Sequence, residues 1–311
     1  MTDFSVRPYT ADDAAAVAEL INLLSEAGGG HAGHVAAEIE DCVNNEVRDA
    51  ALDTRVVTDG GGRLVAVALV PLPPEGGDRL ELIGGVHPDR RGAGLGRELL
   101  AWQLERAAAR HAELAPGAPW QAQVIAGDGD PSPTRLYKRF GFTPSRYFLE
   151  MSAPTSEAPA ASPPPGVELA PYDATRDHEL HAVHTAAFRD LWGYQERTFD
   201  TWAPLTVRSE AFLPELSRFA LAGDEIAGYV LTYSSETPGR IYIGQVGTAV
   251  SWRRKGVAGA LLAGVLGAAG RAGHTTAGLD TDADNPTGAA GVYAKVGFVV
   301  DQRVVAFRRP V

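Results

Sequence analysis

Val86-His-Pro-Asp-Arg-Arg-Gly-Ala-Gly-Leu-Gly-Arg-Glu-Leu-Leu100 joins an apolar, strand-like run to a long helical pattern across three closely spaced glycines. Gly92, Gly94 and Gly96 open backbone angles closed to other residues and let a ligand approach the main chain. The first turn of the following helix presents N–H groups with no intrahelical acceptor, at the positive end of the helix dipole. Strand, glycine turn and helix together read as a cradle for a phosphate or pyrophosphate. Behind it Leu95, Leu99, Leu100, Trp102, Leu104 and Ala107 to Ala109 supply an apolar face that packs the helix on a sheet.

The device occurs twice. Thr248-Ala-Val-Ser-Trp-Arg-Arg-Lys-Gly-Val-Ala-Gly-Ala-Leu-Leu262 repeats it, with Gly256 standing 162 residues after Gly94. Each half later carries a tyrosine followed by Gly-Phe, in Leu136-Tyr-Lys-Arg-Phe-Gly-Phe142 and Val292-Tyr-Ala-Lys-Val-Gly-Phe298. Taken alone, Tyr137 and Tyr293 suit packing aromatics, and Gly141 and Gly297 suit helix C-terminal glycines.

A chain of 311 residues exceeds the usual single domain. Ala153 to Gly166 holds five prolines and almost no bulky apolar side chain, the composition of a linker. The expected division is a first domain over 1–152, the linker over 153–166 and a second domain over 167–311. In each domain a short strand, two helices and an antiparallel meander lead to the cradle, its helix, a further strand, a short helix and a closing strand. In the second domain these include helices at 173–188 and 198–207 and a strand from 241 through 250.

The net charge is −11. Residues 1–152 hold 14 Lys+Arg against 22 Asp+Glu, a net of −8, and residues 167–311 hold 14 against 16, a net of −2. Nucleic acid is therefore not expected as a partner, and the basic runs Arg90-Arg91 and Arg253-Arg254-Lys255 stand out beside the glycine turns. No apolar run approaches the roughly 20 residues of a membrane span, and the N-terminal residues lack a signal-peptide pattern, so a cytoplasmic protein is expected. Cys42 is the single cysteine, which rules out an intramolecular disulfide and argues against a cysteine-based zinc site.

The paired motifs resemble the GCN5-related N-acetyltransferase (GNAT) superfamily, in its tandem two-domain form typified by the mycothiol synthases. Its Arg/Gln-x-x-Gly-x-Gly/Ala loop is matched by Arg91-Gly-Ala-Gly-Leu-Gly96 and by Arg253-Arg-Lys-Gly-Val-Ala258. The resemblance implies an α+β chain of two GNAT-like domains, each a mixed, mostly antiparallel, splayed sheet flanked by helices. It also implies acetyl-CoA as co-substrate, one per domain, and a small-molecule amine as acceptor. Val86 and Thr248 would meet the pantetheine. The phosphates would meet Arg91, Gly92, Ala93, Gly94, Leu95, Gly96 and Arg97 in one half. In the other they would meet Arg253, Arg254, Lys255, Gly256, Val257, Ala258 and Gly259, with Val250 and Asn285 as further cofactor contacts.

By the same resemblance Tyr137 or Tyr293 is the general acid for the departing thiolate, and Glu81 is the candidate base on the strand before the loop. A constant offset of 162 makes Ile243 the counterpart of Glu81, leaving Asp280, Asp282 and Asp284 as second-half acids or as turn residues before Asn285-Pro286. The aromatic series His184, Phe188, Trp192, Tyr194 and Trp202 falls where the superfamily builds its acceptor wall. The second domain is therefore expected to carry the transfer. The alternative is a non-catalytic acyl-CoA-binding or sensing protein.

Overall fold

The computed structural model describes residues 4–31 and 33–311, which fall into two units. The first runs to Tyr147 and also takes in Val304–Val311, and the second is Phe148–Arg303.

In the first unit β1 (Phe4–Arg7) precedes α1 (Ala14–Ala27), α2 (Ala36–Glu46), α3 (Ala50–Asp53), β2 (Thr54–Asp59), β3 (Leu64–Leu69), β4 (Arg79–Glu81) and β5 (Ile83–Val86). Past the glycine loop lie α4 (Leu95–Leu114), β6 (Gln121–Gly127), α5 (Pro131–Arg139) and the start of β7 (Thr143–Pro154). Strands β1, β2, β3 and β5 form an antiparallel meander. β4 pairs with β6 instead, in parallel and over three residues, Arg79–Glu81. The stretch from Arg79 to Val86 thus divides at buried Leu82, whose N–H still donates to Gln123 O at 2.8 Å. Beyond that bond the strand follows β3 and leaves β6, which produces the expected splay.

In the second unit β8 (Glu168–Pro171) precedes α6 (Asp177–Phe188), α7 (Phe199–Trp202), β9 (Arg218–Ala222), β10 (Glu225–Ser234) and β11 (Arg240–Thr248). Then follow α8 (Val257–Arg271), β12 (Thr276–Asp282), α9 (Ala289–Lys295) and the first residues of β13 (Val299–Pro310). Strands β8 to β11 are antiparallel neighbours in order. β11 runs parallel to β12 over Arg240–Tyr242 and then parts from it, a second splay of the same design. The helix expected over 198–207 lasts only four residues before a tight turn at Ala203–Leu205, where Pro204 lacks an amide donor.

The ends of the units depart from the division at 152 and 167. Phe148–Pro154 of β7 pairs with β12, and Met151 and Ala153 are buried in the second core with Val230, Leu261 and Phe298. Val304–Pro310 of β13 pairs with β6, and Phe307 is buried in the first core with Leu80, Leu99 and Phe142. The stretch read as a free linker is partly tied down: Thr155 Oγ1 donates to His274 O at 2.5 Å, and Ala158 packs on the second core. Gly270 makes room there, since a Cβ on it would lie 3.2 Å from Thr155 O.

Each cradle helix is fixed from behind. In α4, Arg106 and Arg110 both donate to Asp53, which is fully buried, with bonds of 2.8 Å and 2.6 Å. Removing one partner from such a buried cluster costs about 3–5 kcal/mol. α8 is buried almost all round, on Val257, Leu261, Leu262, Val265 and Leu266. Among the described residues no helix is long and apolar enough to cross a membrane, and no group of His, Cys, Asp or Glu is placed to hold a metal ion.

Candidate active site

Both loops adopt one backbone path. Gly92 and Gly94 have φ of 84° and 92°, and the matching positions Arg254 and Gly256 have φ of 61° and 88°. Gly94 and Gly256 occupy the N-cap positions of α4 and α8, so each helix begins on a left-handed residue and turns its first amides toward the loop. Arg254 alone among the described non-glycine residues has a positive φ, a strained choice that the loop path imposes. Leu95 and Val257 send their side chains into the cores, so only their main-chain amides are available to a ligand. Gly96 sits against Leu136 and Val86 and serves close packing.

The electrostatics of the loops differ. In the first unit Arg90 pairs with Asp59 at 2.8 Å and Arg91 with Asp130 at 2.5 Å, and the first turn of α4 contains Glu98. In the second, Arg253 donates to the carbonyl of Ala187 at 2.9 Å and Lys255 lies 4.6 Å from the Trp252 ring centroid. Among the described residues none of Arg253, Arg254 and Lys255 is paired with a carboxylate, and the first turn of α8 contains no acid. The second loop therefore offers three cations without a carboxylate partner, whereas in the first Arg90 and Arg91 are already neutralised and Arg97 alone is left without one among the described residues. Val250 stands exposed on the turn before the loop, and Thr248 ends β11 opposite Gly228.

Asp130 and Asn285 hold related turns. Asp130 Oδ1 accepts from Ser132 N and caps α5, and Asn285 Oδ1 accepts from Thr287 N and Oγ1. The Asp130 carboxylate is what ties down Arg91; Asn285 has no charge with which to do so.

The two tyrosines also differ. Tyr137 is half-buried, with its hydroxyl 3.5 Å from Ile125 O and its ring against Phe142 and Phe307. Burial pushes its phenol up to about 12, opposed by Arg91 and assisted by Asp130. Tyr293 is buried against Phe298, and burial pushes it up to about 12 against a hydrogen bond with Thr281 of β12. Both are protonated phenols at neutral pH, able to give a proton.

On the strands leading to the loops, register replaces constant offset. Arg79 pairs with Gln121 at the start of one splay and Arg240 with Thr276 at the other, so the counterpart of Glu81 is Tyr242, not Ile243. The extra residue is Gly244, a bulge in β11 where Leu231 faces Gln245 and Thr232 faces Ile243. Tyr242 donates to Asp280 Oδ2 at 2.9 Å, and Asp282 Oδ1 accepts from Asp284 N, so Asp282 serves the turn. Glu81 lies where the β4–β6 pairing ends, in the field of Arg308, whose guanidinium burial brings down to about 10.

The aromatic wall is present in the second unit. His184 is buried, stacked on Phe188 at 4.6 Å and close to Trp202 and Tyr194. Trp192 lies apart from it, against Phe148 at 6.1 Å. The indole nitrogen of Trp202 and the hydroxyl of Thr185 are buried without a hydrogen-bond partner. Sequence reading missed Tyr229 and Gln245. His184 Nδ1 lies 2.7 Å from Tyr229 Oη, which is 3.4 Å from Gln245 Oε1. The available signal was the pair Tyr229 and Tyr233 on β10, whose rings lie over Gly247 and Gly244 on β11, since large rings beside glycines in adjacent strands pack over them.

Residues 178–298 match the acetyltransferase (GNAT) family model. A mycothiol acetyltransferase of Tsukamurella paurometabola is 36% identical over 159 residues, 47% of this chain and 48% of that protein. The chain thus spans about half the length of this curated relative. A GCN5-related N-acetyltransferase from Sphaerobacter thermophilus superposes with a TM-score of 0.79 and 29% identity, over 99% of this chain and 95% of that one. A tandem GNAT protein from the clavulanic acid biosynthesis pathway gives a TM-score of 0.71 at 18% identity, over 99% and 98%, a likeness of fold alone. With two splayed sheets and two left-handed glycine loops, residues 178–298 match the GNAT family model and the whole chain shares the fold of tandem GNAT proteins.

Proposed function

We propose that the chain is an acetyl-CoA-dependent N-acetyltransferase acting on a small-molecule amine, and that the second unit performs the transfer. The observation that carries this reading is the contrast between the loops, because only the second combines three cations without a carboxylate partner with a buried tyrosine at the far side of the splay. The acceptor class is drawn from the cluster around His184, where Phe188, Tyr194 and Trp202 present rings and no formal charge. The relative named for mycothiol acetylation is in keeping with a small acceptor, and its substrate is one candidate among amines.

The fit to acetyl-CoA rests on the second loop. Amides of the first turn of α8 and the side chains of Arg253, Arg254 and Lys255 would hold the diphosphate, and the edge of β11 freed beyond Tyr242 would hold the pantetheine arm. The bound cofactor supplies an acetyl group already activated as a thioester. The protein supplies placement: an amine held beside that edge gains the advantage of an intramolecular reaction. Tyr293 Oη holds its proton at neutral pH and gives it to the departing sulfur. The first unit keeps the loop path and binds the same cofactor more weakly, as a structural or cofactor-holding partner. The reading takes the cytoplasm as compartment and needs no metal.

The test is acetyl-CoA thiolysis across a panel of amines, polyamines and aminoglycosides, followed by kcat for two variants. Tyr293→Phe keeps the ring and removes the donor, so turnover should fall about 10²- to 10⁴-fold. Tyr137→Phe should leave turnover near that of the parent. Loss confined to Tyr137→Phe reverses the assignment, and absence of thiolysis with every amine favours a cofactor-binding role.

A further inference from the structure

We infer that Gln245 grips the nitrogen of the acceptor amine through its side-chain carbonyl, with His184 and Tyr229 as positioning residues that fix the direction of its amide. The inference rests on the second unit being the transferring one.

Three observations carry it. The first is place. β11 loses its parallel partner after Tyr242, and Gln245 is the first side chain beyond the Gly244 bulge. Ile241 and Ile243 pack in the core against α8, and strict alternation would send residue 245 the same way. The bulge inserts one residue and turns Gln245 and Gly247 to the opposite face, where α6 packs. Gln245 remains partly exposed at the open edge of the strand.

The second is the support. Tyr229 is fully buried and faces Gly247 directly, and a Cβ on Gly247 would lie 2.1 Å from its ring. Its hydroxyl reaches His184 Nδ1 at 2.7 Å and Gln245 Oε1 at 3.4 Å. Burial brings His184 down to about 4, with His181 adding to the fall and a bond to Gln245 opposing it, so the imidazole is neutral in working buffers. A neutral imidazole and a neutral phenol around one amide orient it without adding charge. An amide carbonyl beside the open edge then accepts from an amine N–H and takes no proton itself.

The third is the other unit, where the equivalent positions are apolar. Ile83 faces Leu69 where Gln245 faces Leu231, and Val67 faces Gly85 where Tyr229 faces Gly247. Leu24 of α1 covers Gly85, with a Cβ there falling 2.4 Å from Leu24 Cδ1. One sheet design holds a hydrocarbon plug in the first unit and a three-membered polar chain in the second.

The experiment is a double-mutant cycle on the full chain, with acetyl-CoA and spermidine, kanamycin and benzylamine as probe acceptors. For the probe with the highest turnover, Gln245→Leu should lower kcat/KM for the amine about 10- to 10²-fold, the range for a lost hydrogen bond to a charged or polar nitrogen, with KM for acetyl-CoA unchanged. Tyr229→Phe and His184→Asn should each lower it several-fold in the parent and have no further effect in the Gln245→Leu background. Additive losses would make Tyr229 and His184 independent structural residues and overturn the positioning role. Unchanged kinetics in Gln245→Leu would overturn the contact while leaving the transfer reading intact. No turnover of any probe by the parent would overturn both. Where Tyr229→Phe fails to fold by circular dichroism, His184→Asn completes the cycle.

Discussion

The loop at 91–94 and the loop at 253–256 share a backbone and differ in charge, and the difference separates what a fold retains from what a site needs. Left-handed residues fall at the same two positions in each, so the path of the chain into the helix is common to both. In the first unit Asp59 and Asp130 neutralise Arg90 and Arg91, and Glu98 occupies the helix start. A carboxylate there favours the helix dipole and disfavours a phosphate. In the second unit the helix start carries no acid, the cations are unpaired, and the sheet behind the splay is polar where its twin is apolar.

The comparison is most sharply tested at the two N-cap glycines. Gly256→Glu forces a side chain onto a φ of 88° and puts a negative charge into the second loop. The tighter CoA site should weaken by about 10²-fold or more in calorimetry, given strain of about 1–2 kcal/mol and like-charge repulsion. Gly94→Glu should remove only a second, weaker site. Loss of the tight site in Gly94→Glu would exchange the roles of the units.

Acid should separate the units next. His184 has a folded pKa of about 4 against about 6.5 when unfolded, so its contribution is present above pH 6.5 and is lost as pH falls toward 4. The shift corresponds to about 3 kcal/mol in the second unit. Asp177, raised by burial, returns part of this at the acid end. In the first unit Asp13, bonded to Arg7, is held at about 2, so its contribution persists until pH drops below about 4. Hydrogen exchange at pH 7 and pH 5 should therefore show α6 losing protection while α1 keeps it. Equal loss in both helices would remove His184 as the source.

Much of the architecture was legible because glycine loops, Tyr-x-x-x-Gly-Phe endings and the order of strands are local patterns that recur in the same order, the loops 162 residues apart and the tyrosine endings 156. The splay was expected only through the family resemblance that those motifs carry. The ends of the units were not, because β7 and β13 are both long, half-apolar strands and nothing in their composition chooses a partner; pairing did. The counterpart of Glu81 was misplaced by one position because a single bulge at Gly244 shifts everything before it. Arg91 was read as a phosphate ligand from its motif, and its pairing with Asp130, 39 residues on, is a tertiary fact. His184 was found through its aromatic neighbours, whereas Tyr229 reads in sequence as one more core aromatic on a buried strand.

The smallest effect concerns Arg254, where the two loops differ in residue but not in path. Gly92 takes φ of 84° without a Cβ to strain, and Arg254 takes 61° with one. A left-handed non-glycine residue costs about 1–2 kcal/mol, so Arg254→Gly should raise the stability of the second unit by about 1 kcal/mol in denaturant unfolding. The same change removes one of three cations from the loop, so CoA affinity should fall by a few-fold even as stability rises. Gly92→Ala in the first unit should run the other way on stability, lowering it by about 1 kcal/mol through the same φ. Opposite signs in Arg254→Gly, a more stable domain that binds less well, would identify Arg254 as strain retained for the ligand. A gain in stability with unchanged affinity would leave the strain without that purpose and reduce the binding set of the second loop to its main-chain amides with Arg253 and Lys255.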